Sequence, residues 1–195
     1  MTVVLATRNP GKILELRRVL AAYDVQLVGA DSYEPGPETG ASFAENALAK
    51  AHEAVGHTGL PAVADDSGLV VDVLNGMPGI LSARWAGRHG DDLANLQLVL
   101  GQLADVPAGR RGAGFVCAAA YALPSGRSEV VQAELRGVLL TAPQGDGGFG
   151  YDPIFVPEGL QVTSAELSPA DKDAISHRGQ AFRMLAPMLA AALRT

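Results

Sequence analysis

Asp65 and Asp66 stand side by side at the end of the apolar run Pro61 to Ala64, and Ser67-Gly68 follows them. Adjacent carboxylates repel, and both are costly near a core unless cations or hydrogen bonds compensate. Neighbouring strand residues face opposite ways, so one acid can serve a site while the other anchors a turn. Two readings stand: an Asp-rich turn with both acids in water, or a pair that holds a metal ion or takes a proton. The buried approach favours the second.

Three more polar clusters sit at element ends. In Thr7-Arg8-Asn9-Pro10-Gly11-Lys12 a strand hands over to a helix. The first amides of a helix lack internal acceptors and form a natural anion site. The cluster is not a P-loop, because the leading glycine and the Ser/Thr after Lys are missing. Asn9 as a plain cap with Lys12 in water is the simpler reading. Against it, a cation at the positive end of a helix dipole costs roughly 0.3–1 kcal/mol, which a phosphate would relieve. Further on, Glu45 has a structural task in a capping box with Ser42. Glu38 has none, so it is either an ordinary loop carboxylate or a metal ligand.

Near the C-terminus, Gly147-Gly148-Phe149-Gly150-Tyr151-Asp152-Pro153 combines bare backbone with an aromatic ring. A tight turn is the usual meaning of such a run. A flat, charged ligand is the other: glycine lets phosphate approach closely, and Phe149 can stack. Lys172 and Ser176-His177-Arg178-Gly179 then gather three potentially cationic side chains around the start of the last helix. Capping accounts for Ser176 alone. Glycines and cations for phosphates, acids for Mg²⁺ and donors for a base edge make up the parts of a nucleoside triphosphate hydrolase.

The elements that must hold these clusters follow from periodicity. Val3 to Thr7, Val25 to Val28, Pro61 to Asp65 and Leu69 to Leu74 read as strands, the last two separated by a turn at Ser67-Gly68. Phe115 to Leu123 is almost wholly apolar, as a central strand should be, and pairs with Glu129 to Leu139 as a hairpin. Helices are expected after Asn9, from Ser42 to near Gly56, along the stripe Leu93, Leu96, Leu100 and Leu103, and after Ser176, with Pro187 kinking the last. Asp31 to Ala41 should be a loop. We expect an α/β fold: a mixed central sheet with flanking helices, two lobes around a cleft, and residues 1–195 as a single domain.

The chain has 195 residues, 48% of them hydrophobic, enough to bury a core without disulfides. The lone Cys117 lies in an apolar run and suits a reducing compartment. No signal peptide or membrane span is expected, and a cytoplasmic location is. A net charge of −6 counts against polymeric nucleic acid but not against a small anion met by a few converging cations.

Six motifs, A-T-R-N-P-G-K, E-T-G-A-S-F-A-E-N-A, A-D-D-S-G-L, G-x-P-G-I-x-S-A-R, G-G-F-G-Y-D-P-I-F and A-I-S-H-R-G, occur in this order. In them the chain resembles the Ham1-type inosine/xanthosine triphosphate pyrophosphatases along nearly its whole length. The resemblance implies a homodimer that uses Mg²⁺ to cleave non-canonical purine nucleoside triphosphates (ITP, dITP, XTP) to monophosphate and pyrophosphate. It implies phosphate contacts at Thr7, Asn9 and Lys12, with Arg8, Pro10 and Gly11 in the same turn. Glu38 and Asp66 become metal ligands, and Asp66 the catalytic acid-base group. Ser67, Phe149, Gly150, Tyr151, Asp152, Lys172, His177 and Arg178 become substrate contacts. Arg8 departs from the pattern, since many members carry Gly there: an added phosphate contact and a shifted loop are both open. A Maf-like pyrophosphatase acting on pyrimidine or modified nucleotides is the competing enzyme reading, opposed by the F-G-Y-D and S-H-R motifs. A non-catalytic nucleotide sensor is opposed by the presence of all three acids.

The oxygen at C6 of inosine and xanthosine accepts hydrogen bonds, whereas the amino group of adenine donates them. A site rich in donors therefore leaves adenine facing N–H groups. Inosine triphosphate should be turned over with a far higher kcat/KM than ATP, and comparable values in a steady-state assay would count against this account of the base.

Overall fold

The computed structural model describes every residue except Met1, Ala22, Asp24, Asp31, Ser32 and Thr195. Among the described residues, six strands form one mixed sheet in the order β2-β1-β3-β4-β5-β6. They are β1 (Thr2–Leu5), β2 (Gln26–Gly29), β3 (Ala62–Val71), β4 (Gly112–Ala122), β5 (Ser128–Leu139) and β6 (Phe155–Pro157). β1 lies parallel to β2 and β3, while β5 and β6 are antiparallel. The mixed α/β class expected from the sequence is therefore observed. The chain divides into two compact units. One comprises Met1–Asp66, Cys117–Ala133 and His177–Thr195, and the other Ser67–Val116 and Glu134–Ser176.

In the first unit, strand alternation builds two cores. Val3, Leu5, Val63, Cys117, Ala119, Tyr121 and Leu123 pack with Leu16 and Leu20 of α1 (Pro10–Leu20) and Phe182, Leu185 and Leu189 of α5 (His177–Ala192). The intervening Val4, Ala62, Ala64, Ala118, Ala120 and Ala122 pack with Ala47, Ala51 and Ala54 of α2 (Phe43–Thr58). Alanine on alanine lets that helix lie close to the sheet.

Local signals set the helix starts. The Lys12 amide donates to Asn9 Oδ1 at 3.1 Å, and Pro10 opens α1. The Glu45 amide donates to Ser42 Oγ at 3.2 Å, while Glu45 Oε2 reaches back to the Ala41 amide at 2.8 Å, one residue beyond an ordinary capping box. α2 does not stop near Gly56. It runs to Thr58 and closes at Gly59, which adopts the left-handed conformation.

In the second unit, Leu69, Val71, Phe115, Leu139, Ile154 and Phe155 pack with Leu96, Val99 and Leu103 around α3 (Asp92–Gln102). Leu93, assigned to the buried stripe by spacing, is 65% exposed. The Arg111 guanidinium donates to the carbonyls of Leu103 (2.7 Å), Leu139 (2.9 Å) and Leu140 (2.7 Å). It thereby satisfies the buried carbonyl just beyond the end of α3.

One further sequence expectation needs correction. Ser67-Gly68 is not a turn, because β3 runs unbroken through it. Ser176, in an extended conformation, directly precedes α5, which begins at His177, and its amide closes α4 (Pro169–Ile175) on the Lys172 carbonyl at 2.8 Å. Pro187 lies inside α5. Of the expected loop, Asp31 lies outside the described residues, and Tyr33 to Ala41 contains neither helix nor strand.

Gly68 is glycine because of close approach. A Cβ there would collide with the Gly79 carbonyl oxygen and with Ser82 Oγ, which accepts from the Leu69 amide at 2.9 Å and donates to Gly79 O at 2.6 Å. Gly68→Ala should destabilise the protein by about 3 kcal/mol, the upper end for overpacking. Urea denaturation checks this, and an unchanged midpoint would refute it.

Candidate active site

Alternation along β3 sends its two acids to different cores. Asp65 shares the side of Val63 and meets α1 and α5, where Lys12 Nζ lies 2.8 Å and Arg178 Nε 3.2 Å from Oδ2. Arg178 also pairs with Glu15 of α1 through Nη1. Asp66 shares the side of Ala64 and meets α2. There Asn46 donates to Oδ2 at 3.0 Å, and Lys50 Nζ lies 3.2 Å from Oδ1.

The two carboxyls are tuned in opposite directions. Burial pushes Asp65 up, but the charges of Lys12, Arg178 and Lys50 outweigh it and hold the carboxyl far below the usual range. Asp66 is raised, first by burial and then by Glu38, against the pull of Lys50. A pair driven apart in this way has separate tasks: Asp65 is a fixed anion, while Asp66 has a stronger hold on a proton. Lys50 is raised because Asp66, Asp65 and Glu38 together overcome its desolvation, so it stays a cation.

Glu38 joins this second group. Its Oε1 lies 2.8 Å from Lys50 Nζ, so one ammonium bridges Glu38 and Asp66. Two carboxylate oxygens thus converge where a single positive charge stands. These are hard oxygen donors on a loop and a strand, and the set suits Mg²⁺, which takes one or two carboxylates and fills its remaining positions with water and phosphate. A cavity of about 240 Å³ opens beside Glu38 and Lys50.

The phosphate-like turn is more occupied than its sequence suggests. Thr7 Oγ1 accepts from the Asn9 amide at 3.2 Å, Asn9 caps α1, and Lys12 is committed to Asp65. The Arg8 side chain finds its partners outside the turn, pairing with Glu34 at 3.1 Å and donating to the Tyr33 carbonyl.

In the second unit, the Phe149 loop is held from several sides. The Phe149 amide donates to Asp152 Oδ2 at 2.8 Å, and the Gly150 amide to Asp92 Oδ2 at 2.9 Å. Lys172 Nζ lies 2.7 Å from Asp152 Oδ2 and 4.8 Å from the centre of the Phe149 ring. Gly148 has a positive φ, and a Cβ there would strike Asp152. Tyr151 is buried in the core, with its hydroxyl donating to the Ser82 carbonyl at 2.8 Å. Asp152, also buried, organises the loop from beneath. Phe149 and Gly150 keep some exposure, and Ser67 is half-buried on β3.

The structure thus brings Lys12, Asp65 and Arg178 together, sets Glu38 with Asp66, and groups Phe149, Asp152 and Lys172. His177 is buried at the first residue of α5. Sequence reasoning missed Glu15, Asn46, Lys50 and Asp92. Asn46 and Lys50 carried a usable signal, because they stand four residues apart on one helix face beside the alanine stripe. Glu15, an acid next to the buried Leu16, carried none.

Fold and side-chain chemistry together define a mixed α/β protein in which Glu38 and Asp66 converge on the Lys50 ammonium, and Lys12 and Arg178 converge on Asp65. A profile described as the Ham1 family matches residues 3–188, and the chain belongs to that family. It is 62% identical over 192 residues to a dITP/XTP pyrophosphatase of Streptomyces coelicolor, covering 96% of each chain. Among solved structures it matches a nucleoside-triphosphatase, dITP/XTP pyrophosphatase, of Mycobacterium abscessus. That match has 57% identity and a TM-score of 0.78, covering 96% of this chain and 100% of the other. It also matches a HAM1 protein of Coxiella burnetii at 38% identity and a TM-score of 0.88, covering 98% and 99%.

Arg178 neutralises two buried acids, and removing one partner of such a pair strands the other charge. Arg178→Ala should therefore cost about 3–5 kcal/mol of stability. A denaturation midpoint within error of the unmodified protein would show that Asp65 and Glu15 do not depend on it.

Proposed function

We propose that this protein is a pyrophosphohydrolase of non-canonical purine nucleoside triphosphates, converting ITP, dITP and XTP to the monophosphate and pyrophosphate and so cleansing the nucleotide pool. The observation that carries the reading is the convergence of Glu38 and Asp66 on one cationic position, with Asp66 raised and Asp65 locked as an anion. The names of the relatives point the same way.

Mg²⁺ would be held by Glu38 and Asp66 and would neutralise phosphate charge. The remaining roles belong to the chain itself. Thr7, Asn9, Lys12 and the start of α1 bind phosphate, with Lys12 sharing its charge with Asp65. Asp66 orients the attacking water and takes its proton, a task its raised affinity for protons favours. Lys50 keeps the two carboxylates in register. Phe149 stacks on the base, and Asp92, Asp152 and Lys172 fix the loop that carries it. Ser67 and His177 complete the substrate contacts.

We read Arg178 as support for Asp65 and not as a donor to the base, because its guanidinium is buried between Asp65 and Glu15. Among the described residues no helix is long and apolar enough to cross a membrane. We place the protein in the cytoplasm, as a homodimer.

Asp66→Asn should lower turnover of inosine triphosphate by about a hundredfold, the low end for losing a general base. The protein should stay folded, since an acid raised by burial loses little on neutralisation. Product analysis is decisive for the reaction: release of orthophosphate in place of pyrophosphate would refute cleavage between the α and β phosphates.

A further inference from the structure

The loop that carries Glu38 is fastened along its length by polar and aromatic side chains. The Gly36 amide donates to Glu53 Oε1 at 2.7 Å, Glu38 pairs with Lys50, and the Gly40 amide donates to Asn46 Oδ1 at 2.8 Å. The Tyr33 ring stacks on His57, with centroids 4.7 Å apart and planes within 10°. All four of these partners lie on α2, so they fix Glu38 relative to Asp66, which the same helix holds through Asn46 and Lys50. None of the four relates Glu38 to the turn where α1 begins. Arg8 does, because it belongs to that turn and reaches the Tyr33 carbonyl and Glu34 at the other end of the loop.

We propose that Arg8 is a positioning residue: its guanidinium, forked between Glu34 and the Tyr33 carbonyl, ties the Thr7–Lys12 turn to the Glu38 loop and sets where Glu38 stands relative to bound phosphate. The inference rests on the reading of Glu38 and Asp66 as the Mg²⁺ ligands. Its physical basis is that Mg²⁺ held by Glu38 and Asp66 would meet phosphate only where those carboxylates stand at a fixed distance from the Thr7–Lys12 turn. Arginine suits the task because its planar fork presents donors in two directions, which a lysine ammonium on a flexible stem does not do in a fixed geometry. Glu34 also compensates a cation that would otherwise stand unfavourably at the positive end of α1. The departure from glycine at this position is therefore an added brace, not an added phosphate ligand.

The test compares Arg8→Ala, Arg8→Lys, Glu34→Ala and the Arg8→Ala/Glu34→Ala double variant with the unmodified protein. The Mg²⁺ concentration for half-maximal rate at saturating inosine triphosphate is measured beside the KM for inosine triphosphate at saturating Mg²⁺. Arg8→Ala should raise the Mg²⁺ requirement about fivefold and move that KM by less than about twofold. Arg8→Lys should share most of the defect. Glu34→Ala, at a 91% exposed side chain, should reproduce part of it and add nothing in the double variant.

Without metal or nucleotide, amide exchange in the segment from Tyr33 to Gly40 should quicken in Arg8→Ala, while exchange in α5 stays unchanged. A raised KM for inosine triphosphate at unchanged Mg²⁺ requirement, rescued by Arg8→Lys, would overturn the proposal and make Arg8 a phosphate ligand. Unaltered exchange together with an unaltered Mg²⁺ requirement would also overturn it. If the unmodified protein releases no pyrophosphate from inosine triphosphate with Mg²⁺, the functional reading itself fails, whatever the variants do, and the brace falls with it.

Discussion

A carboxylate with no exposed surface keeps its charge only where cations surround it, and Asp65 is such a group. Lys12 comes to it from α1 and Arg178 from α5, with Glu15 also pairing with Arg178. Three elements distant in sequence are thereby committed to one point. The arrangement fixes β3 at the residue before Asp66. With the charge of Asp65 compensated, Asp66 is governed chiefly by desolvation, the opposing charge of Lys50, and Glu38.

The alanine layer on the opposite side of the strand has a matching consequence. Ala47, Ala51 and Ala54 seat α2 against Ala62, Ala64 and the alanines of β4. A helix held that close presents Asn46 and Lys50 directly to Asp66, and Lys50 extends the contact to Glu38. Larger side chains in this layer would move the helix outward and separate the ammonium from the acids it bridges. Packing and electrostatics act together here: small residues bring the charges within reach.

The second unit uses a different device for its glycine-rich loop. Two successive amides, those of Phe149 and Gly150, are each taken by a carboxylate, and Lys172 spans the Phe149 ring and Asp152. Glycine at 148 is required by the proximity of Asp152. An exposed loop that would otherwise sample many shapes presents its aromatic ring in one orientation, with the entropy of ordering offset when the chain folds rather than when a ligand binds.

Much of this was legible in the sequence. The caps at Asn9 and Ser42, the apolar strand around Cys117 and the hairpin after it follow from local preferences, which depend only on near neighbours along the chain. The Ham1 motifs marked Glu38, Asp66 and the Phe149 loop, and strand alternation alone predicted that Asp65 and Asp66 would part company. Tertiary structure decided the rest. Ser67-Gly68 looks like a turn because glycine usually marks one, yet the Gly79 carbonyl and Ser82 crowd it, and only distant chain can create that crowding. Leu93 has the right spacing for a buried face, but which arc of α3 is covered depends on what packs there. In the sequence, Lys12, Arg8 and Arg178 are simply three cations near element ends. Their division among Asp65, Glu15 and Glu34 is set by long-range contact, because a charge chooses its partner by distance in space and not along the chain.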